Sequence, residues 1–264
     1  MKLSFSNIAW PPERDEEVYE FLTGNGYNGI EIAPTRIYPH DPYEHIDEAR
    51  GFAARLSTVH GMGISSMQSI WYGRTESIFG KTDERRLLVD YTCKAVDFAI
   101  SLGCKNLVFG CPGNRNIPEG YDKTDAYKVA RTFFDEIGNY AHMHAVVIAL
   151  EPNPLLYATN FINSSCEAFS FAKGIEGVKV NIDCGTIIEN GEDLRSIADN
   201  IGLVNHVHIS EPNLEVIKKR SLHEKLWQLL ADCGFNKYVS VEMKNFMDMD
   251  LVKQTAVYVR EIFG

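Results

Sequence analysis

Short runs rich in β-branched residues alternate eight times with longer amphipathic segments, and few folds accommodate that rhythm. The pattern predicts strands near residues 3–9, 28–33, 63–69, 105–109, 145–151, 177–183, 203–209 and 238–243. Between and after them it predicts helices over Glu13–Thr23, Tyr43–His60, Asp83–Leu102, Lys123–His142, Cys166–Lys173, Glu192–Asn200, Leu222–Cys233 and Met249–Ile262. Gly24, Gly103, Gly174 and Gly234 close four of these helices as C-terminal caps. A strand followed each time by a crossover helix pairs in parallel with its neighbour. Eight such units of about 33 residues each fit a closed (β/α)8 barrel, the TIM-barrel α/β class, as one domain over residues 1–264. An open doubly wound sheet is the competing arrangement. No GxGxxG opens the first βα turn, so a dinucleotide site has no support.

The chain carries 26 Lys and Arg against 36 Asp and Glu, a formal charge of −10. An acidic surface argues against a nucleic-acid partner, because phosphate neutralisation needs a basic face. No apolar run approaches the roughly 18 residues of a membrane span, so no membrane association is expected. The first residues lack the long apolar run of an export signal, and the six cysteines form no CxxC pair. Reduced thiols and a cytoplasmic location are the expectation.

Strand residues alternate between two faces, so parity sorts them. Val178, Val180 and Ile182 share one face, with Asn181 and Asp183 on the other. Val207 and Ile209 oppose His206 and His208, and Val239 and Val241 oppose Ser240 and Glu242. In a barrel the apolar sets meet the helices, which turns the polar sets into the lumen. Glu151 ends the run Val146–Leu150, and Glu31 sits between Ile30 and Ile32 by the same logic. Active sites of this architecture lie at the C-terminal ends of the strands. Glu151, Asp183, His208 and Glu242 end strands five to eight, one on each. Three crowded carboxylates repel one another, and a divalent cation removes the conflict. Three oxygen ligands and one imidazole, with two positions left for a chelating substrate, suit Mn²⁺, Mg²⁺ or Co²⁺ better than a closed structural zinc site.

These residues resemble the xylose-isomerase-like barrels, which include sugar phosphate isomerases/epimerases and ketose 3-epimerases. The carriers are Leu150-Glu151-Pro152-Asn153, Asn181-Ile182-Asp183, His206-Val207-His208-Ile209-Ser210-Glu211-Pro212 and Phe235-x-x-Tyr238-Val239-Ser240-Val241-Glu242-Met243. The resemblance covers essentially the whole chain. It implies one divalent ion, Mn²⁺ before Mg²⁺, Co²⁺ or Zn²⁺, on Glu151, Asp183, His208 and Glu242. It also implies that Glu151 and Glu242 act as acid and base on opposite faces of a small-molecule sugar. A carbon acid next to a carbonyl is weaker than a carboxylic acid by roughly 15 pKa units, about 20 kcal/mol, so a carboxylate alone cannot deprotonate it. A metal chelated by the substrate oxygens stabilises the enediolate.

Two departures bear on substrate. Ketose 3-epimerases carry a histidine three residues after the metal-binding Asp, where this chain has Thr186, and an arginine soon after the metal-binding His, where it reads Glu211-Pro212-Asn213-Leu214-Glu215. The related apurinic-site endonucleases need that same histidine and an Asp-x-His that here reads Ser221-Leu222-His223, so a nuclease is disfavoured. The expected activity is a sugar isomerase or epimerase. The alternatives are a metal-dependent dehydratase or lyase of a polyol-derived ketone and a barrel that binds carbohydrate without turnover. Glu31, Gln68, Trp10, Trp71, Asn153, His206 and Lys244 are the candidate substrate or supporting contacts, the tryptophans as an aromatic wall and Lys244 by its parity with Glu242. Lys218-Lys219-Arg220 follows strand seven, where many barrels bind phosphate, and reads better as a solvated charge run. Homo-oligomerisation is left open.

Overall fold

The computed structural model describes every residue from Met1 to Gly264. Eight parallel strands close into a barrel in chain order. They are β1 (Lys2–Ser6), β2 (Gly29–Ile32), β3 (Gly63–Met67), β4 (Asn106–Phe109), β5 (Val147–Leu150), β6 (Val178–Asp183), β7 (Val204–Ile209) and β8 (Tyr238–Val241). The α-helices are α1 (Asp15–Gly24), α2 (Pro34–Ile37), α3 (Ile46–His60), α4 (Thr82–Ser101), α5 (Lys123–Met143), α6 (Ser165–Ala172), α7 (Cys184–Asn190), α8 (Arg195–Asp199), α9 (Ser221–Asp232) and α10 (Met249–Phe263). The expected (β/α)8 barrel is the fold. None of its helices is long and apolar enough to cross a membrane.

The parity argument is realised in β1, β2, β6, β7 and β8, while the β2–β3 pairing shifts register and turns both Ser65 and Ser66 to the lumen. Leu3, Phe5, Ile30, Ile32, Val180, Ile182, Val207, Ile209, Val239 and Val241 are buried and belong to one apolar cluster with the helices. At roughly 1.5–3 kcal/mol per buried side chain, this outward layer fixes which strand face points in. The lumen is correspondingly polar. Ser4 and Ser65 hydroxyls bond at 2.5 Å, Gln68 Nε2 donates to Ser6 Oγ at 2.9 Å, and Asn106 Nδ2 donates to Ser66 Oγ at 2.8 Å. These hydroxyls and amide N–H groups find partners across the barrel, whereas Gln68 Oε1, Asn181 Oδ1 and His206 Nε2 have none. On the outside, α5 lies close over the turn that leads into β6. A Cβ on Gly138 would sit 2.4 Å from Glu176 O, and one on Gly177, whose φ is +72°, would sit 2.0 Å from Gly138 O. No side chain fits at either place.

Two elements differ from the sequence reading. The first strand stops at Ser6 because Asn7–Ala9 forms a helical turn, with Asn7 Oδ1 accepting from Ala33 N–H at 2.9 Å. The helix after β6 begins at once as α7, and of the expected Glu192–Asn200 segment only α8 is helical. Asp183 is the N-cap of α7, its carboxylate accepting from Thr186 N–H at 2.7 Å. Gly185 and Thr186 are weak helix formers, which hid this element from a propensity reading.

Candidate metal centre and active site

The ends of β5 to β8 converge on one point. β6 and β7 pair Asp183 with His208, and β7 and β8 pair His208 with Ser240, which sets Glu242 one inward step above. Glu151 follows β5 directly, its N–H donating to Phe109 O at 3.0 Å. One ligand atom from each of Glu151, Asp183, His208 and Glu242 lies within 4.8 Å of the others. The spacing that parity implied is therefore present in three dimensions.

The hydrogen bonds around this cluster assign its polarity. His208 Nε2 lies 3.1 Å from Glu31 Oε1; in the neutral ring with its proton on Nε2, Nδ1 keeps a lone pair, which Asn181 Nδ2 meets at 3.2 Å. Nδ1 faces Glu151 Oε1 at 3.0 Å and Glu242 Oε2 at 3.2 Å. A lone pair and two carboxylate oxygens at such distances repel unless a cation or proton lies among them. No lysine or arginine lines the cavity. In the metal-free chain the conflict appears as displaced proton affinities. Burial works against a charge on His208, but the charges of Glu31 and Glu242 outweigh it and carry the imidazole well above its usual range. Burial pushes Glu242 up to about 7, and burial with the Glu151 charge raises Asp183. Glu151 moves the other way: burial opposes its ionisation, and its hydrogen bond to His208 overcomes that. This donor set, three carboxylates and one imidazole nitrogen without a protein cation, fits one divalent ion.

Each ligand-type side chain is held from behind. Glu151 accepts from Asn181 Nδ2 at 2.7 Å and from Asn153 Nδ2 at 3.1 Å, so an amide meets each carboxylate oxygen. Arg115, fully buried, donates to Asn153 Oδ1 at 2.6 Å and to Glu151 O at 2.8 Å, fixing which way that amide points. Burial lowers the Arg115 guanidinium to about 10. Asp183 accepts from Ser210 Oγ–H and from Thr186 N–H. Glu242 has no such clamp; His208 is its only polar side-chain partner. Gly110 leaves room for Glu151, since a Cβ there would lie 2.7 Å from Glu151 Oε2.

A cavity of about 200 Å³ opens above the cluster, walled by Gln68, Asn153, Tyr157, Leu214 and Cys111. Gln68 and Asn153 thus lie where the sequence suggested. Trp10, Trp71 and Lys244 do not, while Glu31 and His206 lie beneath the cavity, Glu31 in the supporting place also considered for it. Glu31 is fully buried beneath His208 and also accepts from Ser240 Oγ at 2.8 Å, so it supports the imidazole and is shielded from the cavity. His206 sits lower still, 3.5 Å from Glu31. Trp71 packs edge-on to Phe109 and donates its N–H to Thr92 Oγ1 at 2.9 Å; Trp10 packs on Phe5 and donates to Asp15 at 2.7 Å. A large indole beside a strand end is absorbed by the helix layer when its N–H finds a partner there. Lys244 is half-exposed and pairs with Glu215, because β8 ends at Val241 and strand parity lapses beyond it. Arg220 likewise forks onto buried Glu211 at 2.6 and 2.7 Å, and His223 bonds Tyr258 at 2.9 Å, outside the acidic cluster.

Arg115, Tyr157, Leu214 and Ser210 are the site residues that sequence reasoning missed. Ser210 was within reach, since it continues the inward parity of His206 and His208. The others stand on loops, where no periodicity marks direction.

Comparison with known proteins bears on the fold. A family model described as a xylose isomerase-like TIM barrel matches residues 20–261. No curated protein sequence matches the chain. Among solved structures, 3-keto-D-glucoside 4-epimerase from E. coli superposes with a TM-score of 0.81 at 18% identity, covering 99% of both chains. D-psicose 3-epimerase from Clostridium cellulolyticum H10 gives 0.80 at 16% identity, covering 100% of this chain and 99% of the other. An AP endonuclease, family 2, from Brucella melitensis gives 0.72 at 19% identity, covering 93% and 94%.

Proposed function

The chain belongs to the xylose isomerase-like TIM-barrel family, and from that membership we propose that it is a divalent-metal-dependent epimerase or isomerase of an uncharged keto sugar. The observation that carries the reading is His208 Nδ1 facing Glu151 and Glu242 beside Asp183, at the floor of a cavity that no lysine or arginine lines. Glu151, Asp183, His208 and Glu242 would hold the ion, with Mn²⁺ as the first choice. When bound, the ion supplies Lewis-acid stabilisation for the negative charge that develops on the substrate oxygens. The sugar epimerases among its structural relatives support a sugar substrate.

Glu151 and Glu242 divide the proton transfer. One carboxylate takes the proton from the carbon beside the carbonyl, and the other returns a proton to the opposite face or the adjacent carbon. Positioned groups of this kind contribute about 10²- to 10⁴-fold. The amides on both oxygens of Glu151 fix its direction, whereas Glu242 meets only His208. Gln68, Asn153 and Tyr157 offer hydroxyl-matching partners in the wall, and Leu214 gives it an apolar side. No lysine or arginine lines the cavity, Arg115 is buried behind Asn153, and Arg220 and Lys244 are engaged by Glu211 and Glu215, which favours an uncharged substrate.

The direct test is incubation of ketoses and keto-glycosides with the Mn²⁺-loaded protein in D₂O. Deuterium should enter the carbon next to the carbonyl of an uncharged substrate, and the phosphorylated counterpart should exchange far more slowly. Exchange with loss of water would replace the reading by a dehydratase, and no exchange across the panel would leave only a binding barrel.

Glu31 supplies a second measurement. A carboxylate on the far nitrogen of a metal-binding imidazole typically changes metal affinity by about 10- to 100-fold. Glu31→Gln is expected to weaken Mn²⁺ binding by about that factor, with kcat largely recovered at saturating metal. Unchanged metal affinity would show that Glu31 only fills the lumen.

A further inference from the structure

The two ends of the barrel have opposite electrical character. The mouth is lined by Glu151, Asp183 and Glu242 without a lysine or arginine. At the other end, where the strands begin, lies a cavity of about 560 Å³ lined by Lys105, Lys237, Asn106, Asn205 and Tyr238 and by no carboxylate. Lys2 stands at its edge with Nζ 5.5 Å over the Tyr238 ring, and Lys179 lies against Lys237. Elsewhere on the surface Lys94, Lys128, Lys244 and Lys253 each hold a carboxylate. The four lysines at the base hold none.

The base lysines also retain unused donors. Lys237 Nζ donates to Val204 O at 3.1 Å and Asn205 Oδ1 at 2.7 Å, leaving one N–H, and Lys105 makes no hydrogen bond through its ammonium. The terminal carbonyls of α4, which also reaches this cavity, are occupied by the N–H groups of Leu102, Gly103 and Cys104 and make no claim on the lysines. Burial, and then Lys179, lower the Lys237 ammonium to about 8. A monovalent carboxylate would offset one of them. A phosphate dianion, with its several acceptor oxygens, can take N–H groups from two ammonium donors that line one cavity, and lysine binds phosphate as a point charge.

We propose that the base cavity is a second ligand site, separate from the mouth, that takes a phosphate group through Lys105 and Lys237. The volume admits either inorganic phosphate or a phosphorylated small metabolite, and the recognised chemistry is the same. The site is independent of the reading given for the mouth.

Isothermal titration of the chelator-treated full chain at low salt, with inorganic phosphate and separately with glucose 6-phosphate, tests this. One saturable site is expected. Lys105→Glu should weaken it by at least about tenfold, as charge reversal beside an anion requires. Lys105 is exposed and unbonded, so the melting temperature of this variant should stay within a few degrees of the parent. Lys237→Gln should weaken binding as well, while Glu242→Gln leaves it intact. Tighter binding of the ester identifies a phosphorylated metabolite as the ligand, and equal binding identifies free phosphate. No saturable binding of either up to about 10 mM, or binding indifferent to both lysine variants, overturns the proposal.

Discussion

Replacing Glu242 with glutamine is expected to lower kcat by about 10³-fold or more while leaving the barrel folded. The substitution keeps the shape and removes the charge, so it deletes one of the two proton-transferring groups, itself a factor of about 10² to 10⁴, and one proposed metal ligand. The accompanying stability change has a defined sign. In the metal-free chain Glu242 is buried beside Glu151 and Asp183, and burial already pushes its carboxyl up to about 7. Removing that group relieves repulsion, so the metal-free variant should melt no lower than the parent. Glu151→Gln should be equally inactive but less stable. Asn181 and Asn153 each donate an amide N–H to a Glu151 oxygen, and a glutamine must turn its own NH₂ toward one of them, at a cost of about 1–3 kcal/mol. Steady-state kinetics with the substrate identified by deuterium exchange, beside thermal melts, reads both effects. Wild-type turnover in Glu242→Gln would remove the acid–base assignment.

Adding Mn²⁺ to the chelator-treated protein should raise its melting temperature by about 8–15 °C. A ligand that binds only the folded state at about a thousand times its Kd contributes about 4 kcal/mol, and each kcal/mol moves a domain of this size by about 2–4 °C. The cause is local. Three carboxylates share a pocket with one imidazole, and the ion replaces their repulsion by attraction. His208→Ala should abolish most of the rise. It also leaves Glu31 buried with only Ser240 and the more distant His206 ring as polar neighbours, so the metal-free variant should melt below the parent. His208→Gln, which returns a donor to Glu31, separates that structural loss from the loss of metal. If neither Mn²⁺, Mg²⁺, Co²⁺ nor Zn²⁺ shifts the melt, or if both His208 variants respond as the parent does, the metal centre is wrong. In that event the acidic floor would have to be kept by protonation, with Glu242 and His208 carrying the protons.

Much of this arrangement was legible in the linear chain because a barrel strand has only two faces. Once Val180 and Ile182, or Val207 and Ile209, are assigned to the helix layer, Asp183 and His208 must point inward, and the position at the strand end follows from the length of the run. Asn181 and Ser210 obey the same rule, so even part of the network behind the ligands was available. Loops follow no such rule. Tyr157 and Leu214 wall the cavity from segments whose backbone directions vary residue by residue, and Leu214 itself has a positive φ of 53°. Lys244 shows the limit from the other side. Two residues past Glu242, outside the strand, the alternation no longer decides direction, and the side chain leaves for Glu215.

The linear chain by itself therefore determined the eightfold βα order, the parallel strand direction and the inward parity of the four side chains at the strand ends, because each depends on local periodicity and hydrophobic sorting. Only the tertiary structure decided what surrounds them. It made Glu31 the far-side partner of His208, set Arg115 behind Asn153 and Glu151, took Trp71 and Trp10 into the helix layer, and left the base lysines without carboxylates. Those outcomes join residues as far apart as Glu31 and His208, separated by 177 positions. Contacts across the lumen depend on barrel closure and strand stagger, which no periodicity within a single strand encodes.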